Sequence, residues 1–302
     1  MDTAAIILAA GEGSRMKSKH AKVAHELLGK PLVNWVIDAA EGAGVQRIVA
    51  VIGHGREEVA PLVSDRAATV VQEQQLGTAN AVAVCQDEFA DFNGSLLVLT
   101  GDSPLVTADT LRKLIARREE TNAAVVVLTM NVDDPFGYGR IVRDAQGGVE
   151  RIVEQKDATP EQAAITECNS GFYCFDAQAL FDALEQVKSN NAQGEYYLTD
   201  VLEIARKAGR RVEALVVEDA SECLGVNTRV QLAQAAKVMQ QRINTRHMLA
   251  GVTIVDPDTT WIGPDVQIGR DTIIWPGAVI MGDTVIAEDA VILANAVMGN
   301  QD

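Results

Sequence analysis

Basic side chains crowd the segment that follows the first apolar run of the chain, residues 4–10. The segment opens with Gly11 and Gly13, and its basic residues are Arg15, Lys17, Lys19, His20, Lys22 and His25. Glycine leaves backbone amides open to a phosphate group, and guanidinium and ammonium groups bind phosphate oxygens strongly. This spacing predicts a loop that grips a triphosphate.

Two familiar phosphate-binding loops do not fit the same segment. A dinucleotide fingerprint needs a third glycine at the position that Met16 occupies. A Walker A loop needs Gly-Lys and then Ser or Thr after a four-residue gap, and the segment lacks that sequence. A glycine pair alone is a weak signal, so the prediction depends on the whole basic segment.

The composition is that of an ordinary globular protein with an acidic balance. Of the 302 residues, 47% are hydrophobic and 23% are charged, and the net charge is −16. This charge argues against a nucleic-acid-binding protein, which would present a basic face. It also repels phosphate ligands, so a phosphate site here needs a local positive cluster or a metal ion.

The cysteines and the N-terminus indicate a cytoplasmic protein. The cysteines show neither metal-ligand spacing nor a disulfide pattern, so we expect reduced thiols at Cys85, Cys168, Cys174 and Cys223. The first apolar run is short and lacks a basic flank, which argues against a signal peptide. No apolar run approaches the ~20 residues of a membrane span, so no membrane partner is expected.

Short apolar runs alternate with helical patterns over the first half of the chain. The predicted strands are residues 4–10, 47–53, 69–72, 95–100 and 123–129. The predicted helices are residues 32–43, 57–63, 78–86 and 107–120, the last with Thr107 as its N-cap. Unbroken apolar strands are typical of strands buried on both faces, so the order predicts a doubly wound α/β sheet. Ligands bind such sheets at the C-terminal ends of the strands.

The end of the chain carries a six-residue repeat of large aliphatic side chains, at Ile262, Ile268, Ile274, Ile280, Ile286, Ile292 and Met298. A period of six is typical of a parallel β-helix. Three hexads make one triangular coil, so each isoleucine is expected to stack on the residue eighteen positions later. Residues 228–249 contain no Gly or Pro and predict one long helix before the repeat.

These patterns divide the chain into three parts. We expect an α/β domain over residues 1–227, a linker helix over residues 228–250 and the β-helix over residues 251–302. The repeat covers only about two coils and shows no capping segment, which solenoids need. We therefore expect a shortened form of a longer protein, or another subunit that covers the open end.

Several segments resemble the sugar-1-phosphate nucleotidyltransferases. LAAGEGSRMKSKHAKV (residues 8–23) is similar to the glycine-loop signature of that family, and further matching strings are QEQQLGTANAV, LTGDSPL, FGYGRIVR, RIVEQKDAT, ECNSGFY, EYYLTD and LGVNTR. The resemblance extends over most of the chain. It is strongest to the bacterial bifunctional enzymes that join an N-acetylglucosamine-1-phosphate uridylyltransferase to a glucosamine-1-phosphate acetyltransferase.

The resemblance implies a fold and an activity. The fold is a Rossmann-like doubly wound mixed sheet, the nucleotide-diphospho-sugar transferase fold, followed by a short left-handed parallel β-helix. The activity is transfer of a uridylyl group from UTP to N-acetylglucosamine 1-phosphate with Mg²⁺, giving UDP-N-acetylglucosamine for cell-wall precursors (peptidoglycan, lipopolysaccharide). Acetyltransferase activity is expected to be absent because only the first β-helical coils are present, and a homotrimer through the β-helix is expected.

The resemblance also implies roles for single residues. Arg15 and Lys22 would stabilise charge on the α-phosphate and the leaving group, while Asp102 and Asn227 would hold the Mg²⁺. Sequence chemistry alone leaves a turn-capping Asp102 and a helix-capping Asn227 equally open. The other residues expected at the substrates are Leu8, Ala10, Gly11, Gly13, Gln72, Gln75, Gly77, Thr78, Gly139, Glu154 and Asn169.

Within that set, Gln72 and the Gly77 backbone would read the uracil edge, and Gly139, Glu154 and Asn169 would line the sugar pocket. Thr199 and Asp200 are expected to be helix-capping and structural.

Two departures from the family pattern bear on these roles. Ala21 stands where the family has Pro, which is expected to loosen the loop, and Thr100 stands where close relatives usually have Tyr, which puts one sugar contact in doubt. Two other functions stay open: a glucose- or mannose-1-phosphate nucleotidyltransferase that uses another base, and a non-catalytic regulatory subunit of the same fold.

Overall fold

The chain folds into two compact units, of which the computed structural model describes residues 2–299. The first unit combines the residues up to Ala24 with Leu32–Asn227, and the second combines His25–Pro31 with the residues from Thr228 onward. Among residues 2–299, no helix is both long enough and apolar enough to cross a membrane.

The first unit is built on one mixed sheet. Its strands are β1 (Thr3–Ala9), β2 (Arg47–Ile52), β3 (Ala68–Val71), β4 (Ser95–Thr100), β5 (Val125–Asn131), β6 (Arg140–Arg143), β7 (Val149–Val153), β8 (Glu167–Asp176) and β9 (Val212–Val216). They lie in the order β9-β5-β8-β4-β1-β2-β3, and β6 pairs with both β8 and β7. The neighbours β4, β1, β2 and β3 run parallel, as do β5 and β9, whereas β8 runs antiparallel to β4 and β5.

Helices flank this sheet. They are α1 (Leu32–Gly42), α2 (Arg56–Val63), α3 (Thr78–Ala83), α4 (Ala108–Thr121), α5 (Pro160–Ala163), α6 (Ala177–Leu184) and α7 (Asp200–Lys207), with 3₁₀ turns at Ser14–Met16, Lys22–Ala24, Gln86–Phe89 and Ala220–Cys223. The predicted N-cap is confirmed, because the Thr107 side chain accepts a hydrogen bond from the Thr110 N–H. The helix expected over residues 78–86 ends earlier, at Ala83.

Apolar side chains pack on both faces of the sheet, as the unbroken strands predicted. In β1, Ala4 and Ile6 belong to one core cluster while Ala5 and Ile7 belong to the other, and all four are fully buried. Because the C-terminal ends of parallel strands meet at one edge, the segments after β1, β3 and β4 lie together. The free cysteines are all buried, and burial raises the pKa of the Cys85 thiol to about 12, so it is inert at neutral pH.

The second unit is a helix followed by a short parallel β-helix, with a small hairpin, Glu26–Leu27 and Lys30–Pro31. The helix is α8 (Arg229–Leu249), and the strands are β10 (Thr253–Ile254), β11 (Trp261–Ile262), β12 (Gln267–Ile268), β13 (Ile273–Ile274), β14 (Val279–Ile280), β15 (Val285–Ile286), β16 (Val291–Ile292) and β17 (Val297–Met298). Ile262 pairs with Ile280, and Ile274 pairs with Ile292. The stacking of residues eighteen positions apart is therefore confirmed.

Helix α8 covers one end of these coils with two buried amide side chains. Gln240 Nε2 donates to Thr260 O at 2.6 Å, and Asn244 Nδ2 donates to Thr260 O and Pro257 O, each at 2.9 Å. These bonds satisfy carbonyl groups of the first coil that would otherwise be buried without a partner. The C-terminal half of α8 is thus the cap of the solenoid at that end.

Candidate active site

The basic loop after β1 folds back on itself so that Lys22 covers Gly13. Gly13 adopts a left-handed conformation with φ of 67°, and a Cβ atom there would lie 2.5 Å from Lys22 Cβ. Only glycine fits a position that combines this φ with such a close approach. Met16, which stands in place of a third glycine, is buried and anchors the turn.

Glu58 of α2 binds the same loop through both of its carboxylate oxygens. Its Oε2 accepts a hydrogen bond from the Ala21 N–H at 2.7 Å, and its Oε1 lies 2.7 Å from His20 Nδ1. A proline at position 21 has no N–H and could not make the first of these bonds. The expected loosening at Ala21 is therefore opposed by a contact that requires a residue other than proline.

Four predicted residues meet at the C-terminal edge of the sheet. Lys22 Nζ lies 2.5 Å from Asp102 Oδ2 and 3.1 Å from Asn227 Oδ1, and Arg15 Nη2 donates to Asn227 Oδ1 at 2.9 Å. The Val226 N–H donates to Asp102 O at 2.8 Å, which places the Asn227 segment beside the end of β4. The Lys22 and Asp102 side chains are only about one-sixth exposed, so their charges interact with little screening.

The same arrangement fits a divalent cation. A carboxylate oxygen of Asp102 and an amide oxygen of Asn227 already face one positive group, the Lys22 ammonium. Both are hard oxygen donors of the kind that Mg²⁺ prefers. Among the described residues, no group of three or more His, Cys, Asp or Glu side chains could hold a metal. Mg²⁺ commonly takes only one or two ligands from protein side chains and the others from phosphates and water, so a pair of donors suffices for a fit.

A cavity of about 310 Å³ opens beside these residues. Its walls are Leu8, Ala9, Ala10, Gly11, Lys22, Val23, Gln72, Gln75, Gly77, Thr78, Ala81, Thr100, Asp102 and Glu195. This volume is at the lower end of the range for small-molecule sites. Nine of the fifteen residues expected at the substrates or the metal ion thus line one pocket, whereas Gly13, Arg15, Gly139, Glu154, Asn169 and Asn227 do not line it.

Two glutamine amides are anchored in the pocket wall. Gln72 Nε2 donates to Gly77 O at 3.2 Å and to Asn80 Oδ1 at 2.8 Å, while Gln75 Nε2 donates to Ala10 O at 2.7 Å. Gly77 has φ of 117°, and a Cβ atom there would lie 2.5 Å from Tyr196 O. Glycine is therefore required where the chain turns from Gln72 into α3.

The residues expected at the sugar form a second group. Glu154 Oε1 would lie 3.3 Å from a Cβ placed on Gly139, and the Asn169 N–H donates to Gly139 O at 2.8 Å. Burial raises the pKa of Glu154, and a 3.3 Å hydrogen bond from Thr199 Oγ1 opposes that rise. Thr199 precedes α7 but its side chain makes no capping bond, so its expected capping role is wrong.

The Asn169 amide is held at both ends. Its Nδ2 donates to the Tyr173 hydroxyl at 2.7 Å, and its Oδ1 accepts from the Gly171 N–H at 3.0 Å. A Cβ atom placed on Gly171 would lie 3.2 Å from Thr100 Cγ2, so Thr100, which also lines the cavity, lies close to the backbone that holds Asn169. Thr100 therefore connects the two groups of residues.

Sequence reasoning missed three of these contacts. Glu58, Asn80 and Tyr173 hold loop or site residues in place, yet none stands in a motif that marks such a role. Asn80 lies within the matched string QEQQLGTANAV and Tyr173 ends ECNSGFY, which is a signal for these two residues, whereas Glu58 lies in none of the matched strings.

Comparison with known proteins gives two family matches. Residues 5–203 match the MobA-like NTP transferase domain, and residues 265–300 match the bacterial transferase hexapeptide with six repeats. The first match covers strands β1 to β8 and the helices as far as the start of α7, and the second covers the later coils of the β-helix.

Curated relatives match nearly the whole chain. A protein of Lactobacillus delbrueckii subsp. bulgaricus named bifunctional protein GlmU is 52% identical over 277 residues, which is 92% of this chain and 60% of the relative. A protein of the same name from Lactobacillus johnsonii is 52% identical over 274 residues, 91% of this chain and 59% of the relative. The chain thus spans about three-fifths of the length of these relatives.

A solved structure shares the fold. It is described as UDP-glucose pyrophosphorylase complexed with UDP-glucose, and it aligns with a TM-score of 0.66 at 17% identity, covering 80% of this chain and all of that one. At this identity the likeness is one of architecture, and it agrees with the mixed α/β sheet described above.

Proposed function

Because the chain belongs to the MobA-like NTP transferase family, we propose that it transfers a uridylyl group from UTP to N-acetylglucosamine 1-phosphate. The products are UDP-N-acetylglucosamine, a precursor of cell-wall polymers, and pyrophosphate. The observation that carries the proposal is the meeting of Lys22, Asp102 and Asn227, because Lys22 and Asp102 also line the cavity whose wall holds Gln72. The relatives named bifunctional protein GlmU support the choice of reaction.

The reaction needs no protein nucleophile. A phosphate oxygen of the sugar phosphate attacks the α-phosphorus of UTP in line, and pyrophosphate leaves as the bond to the β-phosphate oxygen breaks. The protein contributes positioning and charge stabilisation, as in other phosphoryl transfers. Lys22 and Arg15 supply positive charge at the α-phosphate and the leaving group.

Mg²⁺ is the proposed cofactor. When bound by Asp102 and Asn227, it supplies positive charge that offsets the charge of the phosphates. Lys22 contacts both of these side chains, so its ammonium stays close to whatever phosphate they help to bind. A local cluster of this kind overcomes the repulsion that a net charge of −16 exerts on a triphosphate.

The two substrates occupy the two groups of residues. The nucleotide lies in the cavity lined by Leu8, Ala10, Gly11, Gln75 and Thr78, with the uracil edge at Gln72 and Gly77. Gly13 lets the loop close over Lys22. The sugar lies at Gly139, Glu154 and Asn169, where Glu154 accepts from sugar hydroxyls and Asn169 both donates and accepts.

Two other functions remain as outcomes of the test. A glucose- or mannose-1-phosphate nucleotidyltransferase would show a preference for another sugar phosphate or base. A non-catalytic subunit would bind nucleotide without turnover, and the presence of Lys22, Arg15 and Asp102 argues against it. The division into three domains stays a prediction.

A homotrimer in the cytoplasm is the proposed state. The hexapeptide repeats support it, and so does one apolar face of the second unit, which carries exposed side chains on or directly after β10, β13 and β16. These are Val255, Ile273, Trp275, Val291 and Leu293, all at least a third exposed. An apolar patch of this kind is normally covered in an assembly. The acidic charge argues against a nucleic-acid partner.

The test is a pyrophosphate-release assay on the whole chain. UTP, CTP, ATP and GTP are each combined with N-acetylglucosamine, glucose and mannose 1-phosphates, with Mg²⁺ and with EDTA. The proposal expects the highest kcat/KM for UTP with N-acetylglucosamine 1-phosphate and loss of turnover in EDTA. Preference for a different pair, or metal-independent turnover, would overturn it.

A further inference from the structure

The amide of Gln72 is fixed in one orientation by two acceptors. Its Nε2 donates to the backbone carbonyl of Gly77 and to Asn80 Oδ1. A backbone carbonyl can only accept, so the atom that faces it must be the NH₂ end of the amide. The opposite end, Oε1, makes no hydrogen bond within residues 2–299, and Gln72 lines the cavity.

Asn80 makes the shorter of the two bonds. The distance from Gln72 Nε2 is 2.8 Å to Asn80 Oδ1 and 3.2 Å to Gly77 O. Gln72 is 5% exposed, so a flipped amide would put its oxygen against two acceptors with little water to relieve the repulsion. Asn80 is the third residue of α3.

We propose that Asn80 sets the pyrimidine selectivity of the nucleotide pocket by holding the Gln72 carbonyl oxygen toward the base. This inference rests on the proposed function. Uracil presents an N3–H donor between two carbonyl oxygens, and a fixed acceptor at Gln72 Oε1 complements that donor. Cytosine presents a lone pair at N3, which the same oxygen repels. Thymine shares the uracil edge, so the device separates uridine from cytidine nucleotides but does not separate uridine from thymidine nucleotides.

Nucleotide binding by the whole chain tests this assignment. UTP, CTP and dTTP binding to wild type and to Asn80→Ala is measured by calorimetry, with kcat and KM measured in parallel. In Asn80→Ala only the longer bond, to Gly77 O, still holds the amide. Because the fixed orientation is weakened, the ratio of the CTP to UTP dissociation constants is expected to fall about three- to tenfold, the effect of one hydrogen bond. The KM for UTP rises while kcat changes little, because the contact acts on binding.

Asn80→Asp is the matched variant, since its carboxylate still accepts from Gln72 Nε2. Its ratio of CTP to UTP dissociation constants should stay near the wild-type value. The ratio of UTP to dTTP dissociation constants should stay unchanged in both variants. If Asn80 had a purely structural role, Asn80→Ala would weaken the binding of all three nucleotides to the same extent. An unchanged CTP to UTP ratio in Asn80→Ala, or an equal fall in Asn80→Asp, would overturn the inference.

The same measurements separate this inference from the proposed function. Nucleotide binding with the expected ratios but without pyrophosphate release would overturn the function and support the inference. Pyrophosphate release from UTP with no change of ratio in Asn80→Ala would support the function and overturn the inference. A wild type that binds no UTP would overturn both.

Discussion

Lys22 touches both polar side chains of the phosphate site, with its ammonium 2.5 Å from Asp102 Oδ2 and 3.1 Å from Asn227 Oδ1. In Lys22→Ala, Asp102 loses its neutralising partner and the α-phosphate loses a positive group. We expect transition-state stabilisation to fall by about 2–4 kcal/mol, the usual effect of removing one such donor, with a similar loss in Arg15→Ala. Steady-state pyrophosphate release measures the effect.

The control for this prediction is Lys19→Ala. Lys19 is an exposed lysine of the same loop, so its removal changes the loop's charge equally without touching Asp102. It should keep kcat/KM close to that of the wild type. Wild-type kcat in Lys22→Ala, or an equal loss in Lys19→Ala, would contradict the role given to Lys22.

Glu154 makes a pH-dependent contribution to stability. Burial raises its pKa in the folded protein, so folding favours the protonated carboxyl group. Its stabilising contribution is complete below the ordinary pKa of a glutamate and is lost as the pH rises through the raised pKa. Glu154→Gln should therefore be more stable than the wild type at neutral pH, with the difference disappearing toward pH 4.

Urea denaturation between pH 4 and 8 measures that difference. Glu120→Gln removes the same charge from an exposed position and should shift stability little at any pH. A stability difference for Glu154→Gln that does not depend on pH would show that Glu154 is ionised in the folded protein without a penalty.

The sequence indicated the residues that are expected to contact the phosphates and the metal ion, but not the residues that hold site side chains in place. Lys22, Asp102 and Asn227 follow separate strands, and their motifs identified them although no spacing shows that they meet. Asn80 and Tyr173 act through hydrogen bonds whose geometry depends on the turns at Gly77 and Gly171. Such contacts are set by backbone conformation, which residue types alone do not determine.

Among the elements, the basic loop depends on its bond to α2. Glu58 accepts from the Ala21 N–H at 2.7 Å, one residue before Lys22. Glu58→Ala should release the loop and lower kcat/KM about fivefold, the scale of one hydrogen bond of about 1 kcal/mol. Glu58→Gln keeps an acceptor oxygen and should lose less.

Pyrophosphate release measures both Glu58 variants, and thermal denaturation shows whether either one disturbs the fold. Equal kcat/KM in Glu58→Ala and the wild type would mean that the loop holds Lys22 in place without α2.

In the β-helix, stability depends on the stacked isoleucines. Ile280 is fully buried and pairs with Ile262 in the adjacent coil. Ile280→Ala should destabilise the second unit by about 2–5 kcal/mol, through lost burial and the cavity left behind. Val285→Ala is the control. Val285 points outward with 70% of its surface exposed, so this substitution should lower the free energy of unfolding only slightly. Urea unfolding followed by the fluorescence of Trp261 and Trp275, both in this unit, measures the difference.

Elements with a strong repeat or an unbroken apolar run could be predicted from the sequence, whereas strand β8 could not. The six-residue period determined which residues stack, and strand β4 has the predicted bounds. Strand β8 contains polar residues and a register shift between Asn169 and Tyr173, so its pattern is neither continuous nor alternating. The resemblance implied a mixed sheet but did not identify this antiparallel strand, which carries Asn169 to the site.

For the whole molecule, the acidic charge and the basic loop have opposite effects on a triphosphate. With a net charge of −16, the distant field slows the approach of an anion, while the short-range contacts of Lys22 and Arg15 hold it once it arrives. Salt screens the distant repulsion more than the contacts. Association with UTP should therefore weaken less with added salt than it would for a protein that attracts phosphate through its net charge.

The apolar face of the β-helix gives the last prediction, which concerns the number of copies in the assembly. Leu293 is 70% exposed on the face formed by β10, β13 and β16, and Val285 is equally exposed on the sheet formed by β12 and β15. If copies pack on the first face, a charge at Leu293 would be buried without a partner, at a cost that an interface rarely tolerates. Sedimentation equilibrium should give three times the mass of one chain for the wild type and for Val285→Glu, and the mass of a single chain for Leu293→Glu. A wild type that sediments as a monomer, or dissociation by Val285→Glu alone, would show that this face does not form the interface.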